Sequence, residues 1–241
     1  MRNGLRYAAV LAALTCLIGT IRAAENAADK APEGFVSLFN GKDLTGWDGN
    51  PKFWSVRDGA ITGQTTAENP TKANTFIIWR GGKVGDFELR LRFRYVGGNT
   101  GIQYRSKDKG GWVVNGYQAD FDAAKTYAGI LYEEGGRGIL CNIGKKVVID
   151  TDGHITATGD TADPKEIRQG IHDGEWNDYV IAAHGNHLVH MINGKVTADV
   201  TDEQETKRAM EGILAFQVHA GPPMLIQFKD IYLKDLSKKQ N

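Results

Sequence analysis

From about residue 34 onward the chain alternates short apolar runs with polar, glycine-containing turns, and this pattern predicts β-strands. Asp-Gly and Asn-Gly pairs between the runs mark tight turns, because these residues tolerate positive φ. Helical periodicity is almost absent, with short helices conceivable only at residues 161–167 and 201–208. Many short strands with frequent glycine turns predict an all-β sandwich or jelly roll. The strand-like runs are residues 60–62, 75–79, 87–95, 101–104, 117–121, 146–149, 179–183, 187–192, 213–218 and 225–233.

The first 24 residues have a different pattern. A basic start is followed by an apolar run over residues 7–21 and by small residues, as in a secretory signal peptide cleaved after Ala23 or Ala24. The run is short for a membrane span. We therefore expect residues 1–24 to be a signal peptide and the protein to be exported, periplasmic or secreted, with no membrane span in the mature chain. An uncleaved anchor is the alternative, and lipidation at Cys16 lacks a good lipobox.

We expect residues 25–32 to be a flexible leader and residues 33–238 to be a single β-sandwich domain. The 29 basic and 29 acidic residues of the 241 cancel, and a nucleic-acid partner would call for a basic excess. Loss of the signal peptide would leave only Cys141, which cannot form an internal disulfide and is interpreted as a buried structural residue. The sequence does not define the oligomeric state.

Polar side chains recur at every second position on three predicted strands. Residues i and i+2 of a strand point to the same face, and the opposite positions here are apolar. The pattern therefore predicts that one outer sheet face brings Arg105, Asp120 and His219 into a common cleft. An ordinary solvated face would be rich in Lys, Glu, Thr and Ser, whereas these groups bind hydroxyls in fixed geometry. The residues sharing the face are Gln103 and Arg105, Gln118 and Asp120, and Gln217 and His219.

A glycine-rich loop over residues 127–138 carries further functional groups. Its Glu133, Glu134 and Arg137 could rim a site, or could form a surface salt bridge beside a turn. Four aromatic residues are candidate platforms for stacking a sugar ring, although packing in the core is the usual role of a Trp. These are Trp54, Trp112, Tyr117 and Tyr132.

Two stretches could suggest metal binding. His184, His187 and His190 lie around a predicted hairpin turn, and we interpret them as turn residues rather than metal ligands. Residues 150–153 are similar to part of a calcium loop but lack its closing Glu, so a β-turn is preferred. No phosphate loop, dinucleotide fingerprint or nucleophile elbow is present. We predict no cofactor, while leaving open a divalent metal.

Residues 35–47 read FVSLFNGKDLTGW, and they resemble the opening of the DUF1080, or 3-keto-disaccharide hydrolase, family. The resemblance continues in the family's order over residues 33–236. It implies a concanavalin-like jelly-roll β-sandwich of two antiparallel sheets with few or no helices, whose concave outer face binds sugar. The further matching segments are residues 54–60, 86–90, 98–105, 116–120, 129–132, 175–177, 192–195 and 212–219.

The family resemblance implies an enzyme that cleaves 3-keto-disaccharides or 3-keto-glycosides. A ketone at C3 acidifies the C2 hydrogen, so a base can remove it, the glycosidic oxygen can leave by elimination, and water can add back. Asp120 or Glu134 would be the base, and Arg105 and His219 would stabilise the oxyanion or protonate the leaving group. The predicted substrate-binding residues are Gln103, Gln118, Gln217, Tyr132, Trp112 and Trp54.

This chain departs from the common family pattern at Gln118 and Asp120, where many members have Glu and Gln in the reverse order. The carboxylate is thus shifted along the strand. A non-catalytic carbohydrate-binding module with the same sandwich is the alternative function, and a structural surface protein is a third. The first two functions require a carbohydrate ligand, and none of the three requires nucleic acid.

Overall fold

The computed structural model describes residues 31–237, in which seventeen strands and one short helix follow one another along the chain. The strands are β1 Val36–Ser37, β2 Trp47–Gly49, β3 Trp54–Arg57, β4 Ala60–Gln64, β5 Thr75–Trp79, β6 Phe87–Val96, β7 Asn99–Asp108, β8 Val114–Asp122, β9 Ile130–Glu134, β10 Gly138–Cys141, β11 Lys145–Ile149, β12 Ile155–Asp160, β13 Asn177–His184, β14 His187–Ile192, β15 Lys195–Asp202, β16 Ile213–Val218 and β17 Leu225–Asp235. The helix α1, Pro164–Gln169, lies between β12 and β13.

The strands form two sheets. The ten-stranded sheet has the order β12-β11-β15-β14-β13-β6-β17-β4-β3, with β1 paired to β17, and the seven-stranded sheet has the order β10-β9-β8-β7-β16-β5-β2. All paired strands are antiparallel except β11 and β15, which run parallel. With 53% strand and 3% helix, the predicted all-β jelly-roll sandwich of two antiparallel sheets is confirmed.

The hydrophobic core lies between the two sheets. Phe216 of the seven-stranded sheet stacks on Phe228 of the ten-stranded sheet with ring centroids 4.1 Å apart, and Trp47 packs against the same Phe216 at 4.9 Å. Cys141 is a buried free thiol, as predicted. Burial of aromatic rings of this size dominates the stability of such a core.

Trp54 also belongs to this core, so its prediction as a sugar-stacking platform is wrong. It pairs with Gly63 of β4, and its ring lies so close that a Cβ on Gly63 would be 2.7 Å from it. Only 2% of Trp54 is exposed. The absence of a side chain on the partner strand leaves the space that the indole ring fills.

The single helix begins at a side-chain cap. Asp163 Oδ1 accepts a hydrogen bond from the Lys165 amide, and Pro164 follows the cap, where its missing N–H costs nothing. The helix overlaps the first of the two segments considered for helices. In the described part of the chain no helix is long and apolar enough to cross a membrane.

The predicted signal peptide and residues 25–30 of the predicted leader lie outside the described residues. Those expectations stay predictions, which mass spectrometry of the N-terminus of the protein from its native host would check. Residues 31–237 belong to one compact unit.

A β-bulge in β7 changes the direction in which its side chains point. The pairing of β7 with β8 shifts between Tyr104 and Lys107, where three steps on β7 match two on β8. Arg105 adopts a positive φ of 48° at this point. Because a bulge inserts one extra residue, it reverses the alternation of faces beyond it. Arg105 therefore leaves the face of Gln103, and Ser106 takes that face instead, with its hydroxyl donating to Gln103 Oε1 at 2.6 Å.

Candidate functional site

The outer face of the seven-stranded sheet carries a polar cleft. Directly paired residues of neighbouring strands point to the same side, and the register pairs Gln103 with Gln118 and with Ala215. Asp120 lies opposite Gly101 and Ile130. The cleft encloses about 230 Å³ and is lined by Asn74, Asn99, Gln118, Asp120, Tyr127, Ile130, Tyr132, Glu134, Ile139 and His219.

Three glutamine side chains form a hydrogen-bonded row across this face. Gln118 Oε1 accepts from Gln103 Nε2 at 2.8 Å and from Gln217 Nε2 at 3.2 Å. Gln217 Nε2 also lies 3.3 Å from Glu134 Oε2. Gln103 and Gln217 are fully buried, and neither lines the cleft. They therefore fix the position of Gln118 and Glu134, instead of contacting a sugar directly as the sequence predicted.

Gly101 makes room for this row. A Cβ at residue 101 would lie 2.4 Å from Cδ of Gln118, which no packed side chain tolerates. The Gln118 side chain thus lies flat over the backbone of β7. A glycine at this point is needed for the close approach of a side chain, and its φ is not in the left-handed region.

Asp120 is a buried carboxyl group without a cation. Only 7% of the residue is exposed, and its Oδ1 has no hydrogen-bond partner. Burial raises the pKa of Asp120 to about 8, and the charges of Asp122 and Glu134 act in the same direction, while the Asn99 side chain and the Phe121 amide partly oppose them. At neutral pH this group therefore carries a proton.

Glu134 is the second carboxyl group in the cleft. It is half-buried and has neutral partners, Asn74 Nδ2 at 3.4 Å and Gln217 Nε2 at 3.3 Å. Within residues 31–237 neither Asp120 nor Glu134 takes part in an ion pair, and no Lys or Arg lines the cleft. The site can therefore offer hydrogen-bond donors and acceptors to an uncharged polyhydroxylated ligand.

His219 joins the two carboxyl groups, as the sequence predicted. It follows the end of β16, and its ring Nδ1 forms a short hydrogen bond with the Ala220 carbonyl. The Ala220 amide in turn donates to Asn74 Oδ1 at 3.0 Å. The shared parity of Gln217 and His219 thus placed the imidazole on the correct side of the sheet.

Arg105 does not join them, and its prediction as an oxyanion-stabilising group in this cleft is wrong. Its side chain is fully buried and points toward the ten-stranded sheet, where the guanidinium donates to the carbonyls of Gly85 and Gly185 at 2.8 and 2.6 Å. It also pairs with Asp86 at 3.0 Å. The bulge described above is the cause. Arg105 therefore links β7 to the loops next to β6 and β13 of the other sheet, and it has no access to a ligand on the outer face.

Among the aromatic candidates, only Tyr132 lines the cleft. Burial, together with the charges of Glu134 and Asp120, raises the pKa of its hydroxyl. Trp112 does not line it, because its indole N–H donates to Asp48 Oδ1 at 2.8 Å near the far end of β5. Tyr117 is buried between the sheets. The prediction of a stacking platform is thus wrong for Trp112 and for Tyr117.

The sequence interpretation missed several lining residues. Asn99 lies in a segment that matched the family, and Tyr127 in the loop that was predicted to rim a site, but neither was singled out. Ile130 lies in the same loop. Asn74 and Ile139 gave no signal: Asn74 precedes β5, and Ile139 reaches the cleft through the pairing of β10 with β9, which a pattern within one strand does not reveal.

The histidines around the β13–β14 turn have separate partners. His184 pairs with Asp86 and His187 with Asp199, while His190 is buried against the hydroxyl of Tyr104. His184 and His187 pair at the end of the β13–β14 hairpin, whereas His190 lies within β14 and is buried in the core. In the described ranges one group, Asp150, Asp152 and His154, places its ligand atoms within 4.8 Å of one another. Asp150 Oδ1 accepts the amides of the other two at 2.9 Å, as in a β-turn.

The fold and the cleft together define a concanavalin-like sandwich with a sugar-compatible site on the outer face of one sheet. Residues 34–234 match the family described as the 3-keto-alpha-glucoside-1,2-lyase-like domain, so the chain belongs to that family. No curated protein sequence matches the chain.

Solved structures agree on the fold. A proposed glycosyl hydrolase from Parabacteroides distasonis superposes with a TM-score of 0.55 at 21% identity, over 84% of this chain and 99% of that one. A second proposed glycosyl hydrolase from the same organism gives 0.53 at 21% identity, over 85% and 94%. The carbohydrate-binding module CBM66 from Bacillus subtilis gives 0.52 at 15% identity, over 79% and 96%. At these identities the likeness extends to the fold alone, and both enzymes and binding modules share it.

Proposed function

We propose that this protein cleaves 3-keto-glycosides by eliminating the group attached to C1 and then adding water. The family assignment supports this class of substrate. The observation that carries the proposal is the buried, proton-bearing Asp120 beside the carboxylate of Glu134, in a cleft lined by amides and a histidine. A buried carboxyl group with a raised pKa, placed in one cleft with a second carboxyl group, is an arrangement that can supply an acid and a base.

Each group has a distinct role in this reaction. The protonated Asp120 donates a hydrogen bond to the C3 ketone oxygen, because a neutral carboxyl in a dry site stabilises an enolate oxygen that develops beside it. Glu134 removes the C2 proton. His219 protonates the departing oxygen. Gln118, Asn74 and Asn99 hold the sugar hydroxyls, a task that the sequence had assigned partly to buried residues.

The steps balance without an external oxidant or reductant. Glu134 takes the C2 proton, and the electrons of the C–H bond form the enolate. The enolate then reforms the ketone, a double bond forms between C1 and C2, and the C1–O bond breaks as the leaving oxygen takes a proton from His219. In the second stage water adds to C1, His219 recovers a proton from it, and Glu134 returns a proton to C2. The net change is hydrolysis.

Substitution of the carboxyl groups tests these roles with 3-keto-trehalose as substrate and trehalose as the unoxidised control. We expect Glu134→Gln to lower kcat by about 100-fold or more, because a general base is lost. Asp120→Asn should retain more activity than Asp120→Ala, since an amide can still donate to the ketone oxygen. Glu211→Gln, at an exposed surface ion pair, is the matched control. Equal losses in Asp120→Asn and Asp120→Ala, with an active Glu134→Gln, would make Asp120 the base.

Direct hydrolysis of an unoxidised glycoside is a second candidate, because a pair of carboxyl groups is also the machinery of ordinary glycosidases. Reaction in D₂O separates the two. Elimination followed by hydration delivers solvent deuterium to C2, beyond the level in product incubated with Glu134→Gln, whereas displacement at C1 leaves the C2 hydrogen in place. Binding of 3-keto-trehalose without any turnover would instead identify a carbohydrate-binding module.

A further inference from the structure

A second hollow adjoins the acidic cleft. The two share three side chains, Asn99, Tyr127 and His219, which stand between them. The second hollow encloses about 370 Å³ and is therefore larger than the first. The residues that it adds are Gly98, Asp122, Ala123, Ala124, Ala220, Gly221 and Pro222.

The chemistry of the two hollows differs. The first is lined by carboxyl and amide groups, whereas the second is walled mainly by alanine, glycine, proline and the ring of Tyr127. Its one carboxylate, Asp122, is buried and accepts the Tyr127 amide at 2.7 Å. The nearby Lys125 points away, to the Ile171 carbonyl and to Asp173. A hydroxyl-rich ring would find few partners in this hollow, and an anion would face Asp122.

The walls of the second hollow are held in place by turns. Gly98 has a φ of +72°, and its carbonyl accepts the Ala123 amide at 2.9 Å, which ties the turn before β7 to the turn after β8. A Cβ on Gly98 would lie 2.7 Å from Met224 Cβ. The hollow is thus formed before any ligand binds, and preformed apolar sites bind with little ordering cost.

We propose that the second hollow is the subsite for the leaving group and that it selects an uncharged, apolar group, such as an aryl ring, over a second sugar. The assignment rests on the proposed function, which places the 3-keto sugar ring among the hydrogen-bonding groups of the first hollow. The glycosidic oxygen then lies at the boundary, next to His219. The substrates favoured by this geometry are aryl 3-keto-glycosides rather than 3-keto-disaccharides.

Binding of unoxidised glycosides tests the subsite without relying on turnover. Isothermal titration calorimetry would compare phenyl α-glucoside, methyl α-glucoside and trehalose. We expect phenyl α-glucoside to bind about tenfold more tightly than either of the others, because burial of much of a phenyl ring contributes at least that factor. Ala124→Asp places a charge at this exposed wall position. It should reduce the phenyl advantage to about twofold or less, with the affinity for methyl α-glucoside unchanged.

Ala157→Asp, on the exposed edge strand β12, is the matched control and should change none of the three affinities. Trehalose binding as tightly as phenyl α-glucoside, no binding of phenyl α-glucoside, or equal losses for phenyl and methyl glucosides in Ala124→Asp would each overturn the subsite. A phenyl preference in a protein that cleaves no 3-keto-glycoside would refute the proposed function and the leaving-group role, while the second hollow would remain a binding site for an apolar aglycone.

Discussion

Two buried carboxyl groups on either side of the seven-stranded sheet are stabilised in opposite ways. Asp202 reaches the inner side of the sheet, where only 1% of its side chain is exposed, and it pairs with Arg137 at 2.7 Å. Asp120, on the outer side, has no cation and a raised pKa. A buried carboxylate must gain a counter-charge or a proton. The protein thus balances the inner carboxylate with a cation, whereas in the cleft burial raises the pKa of Asp120 instead.

The neighbouring residues Glu133 and Glu134 show the same division along β9. Glu133 pairs with Arg137 at 2.6 Å and, together with Asp202, forms an inner network of two carboxylates around one cation. Glu134 instead points into the cleft with only amide partners. Successive side chains of a strand alternate between faces. The sequence left open whether the loop carboxylates form a salt bridge or rim a site; in the structure Glu133 forms an ion pair and Glu134 lines the cleft.

Removal of the counter-charge from the inner network should produce the largest effect on stability. Arg137→Met leaves Asp202 and Glu133 without their cation, although Asp202 keeps the hydroxyl of Tyr117 as a partner. Truncating one partner of a buried pair costs about 3–5 kcal/mol, and urea unfolding would measure the loss.

Arg80→Met is the control for that measurement. Arg80 bridges Asp48 and Asp108 at the surface, where such pairs contribute about 0–1 kcal/mol. If Arg137→Met and Arg80→Met lose the same small amount of unfolding free energy, Arg137 does not stabilise the buried carboxylates Asp202 and Glu133. The contrast between these residues and the cleft would then fail.

Asp120→Asn should alter the pH dependence of stability. Because the folded-state pKa is about 8 and the reference value is 3.8, the native protein binds more protons than the unfolded chain between these values. The contribution of Asp120 to the unfolding free energy is therefore largest below pH 4. It is lost as the pH rises from about 4 through 8, at up to about 1.4 kcal/mol per pH unit. The variant should lose this slope and exceed the wild type by a few kcal/mol at pH 9.

Unfolding curves from pH 5 to 9 would show the difference, with Asp160→Asn on the exposed strand β12 as the control. Parallel pH profiles of Asp120→Asn and the wild type would mean that Asp120 is ionised in the folded state. The proton-bearing role in the cleft would then fail, whatever the activity of the variant.

Much of the fold was predictable from the sequence, because alternation with period two reports directly which residues face the core. The same parity placed Gln118, Asp120 and His219 on one outer face. It failed at Arg105, since the extra residue of a bulge leaves no mark in the hydrophobic pattern. The positive φ there is unusual for an arginine, so composition gave no warning either.

The cleft itself was harder to predict. Its shape depends on which strands lie side by side. Asn74 and Ile139 come from segments on opposite sides of β8, β7 and β16, the strands that carry Asp120 and Gln217. Trp54 shows a related limit, because a tryptophan opposite a glycine fills the core, whereas one elsewhere could stack on a sugar. The residue that faces the side chain from the neighbouring strand decides whether it packs in the core, and the sequence of one strand does not reveal that residue.

The smallest expected effect concerns the buried glutamine that supports the cleft. Gln103 lies beside Gln118 on the neighbouring strand, donates to its Oε1 at 2.8 Å and accepts the Ser106 hydroxyl at 2.6 Å. Gln103→Leu therefore removes one hydrogen bond from Gln118 and one from Ser106. We expect a loss of about 1–3 kcal/mol in unfolding free energy. We also expect the KM for 3-keto-trehalose to rise a few-fold while kcat stays near that of the wild type, because the proposed reaction gives Gln118 a role in holding hydroxyls and none in proton transfer. Steady-state kinetics with urea unfolding on the same samples would measure both. A fall in kcat as large as that of Glu134→Gln would place the glutamine row within the chemistry instead, and the contrast between a supporting row and a reacting carboxyl pair would no longer hold.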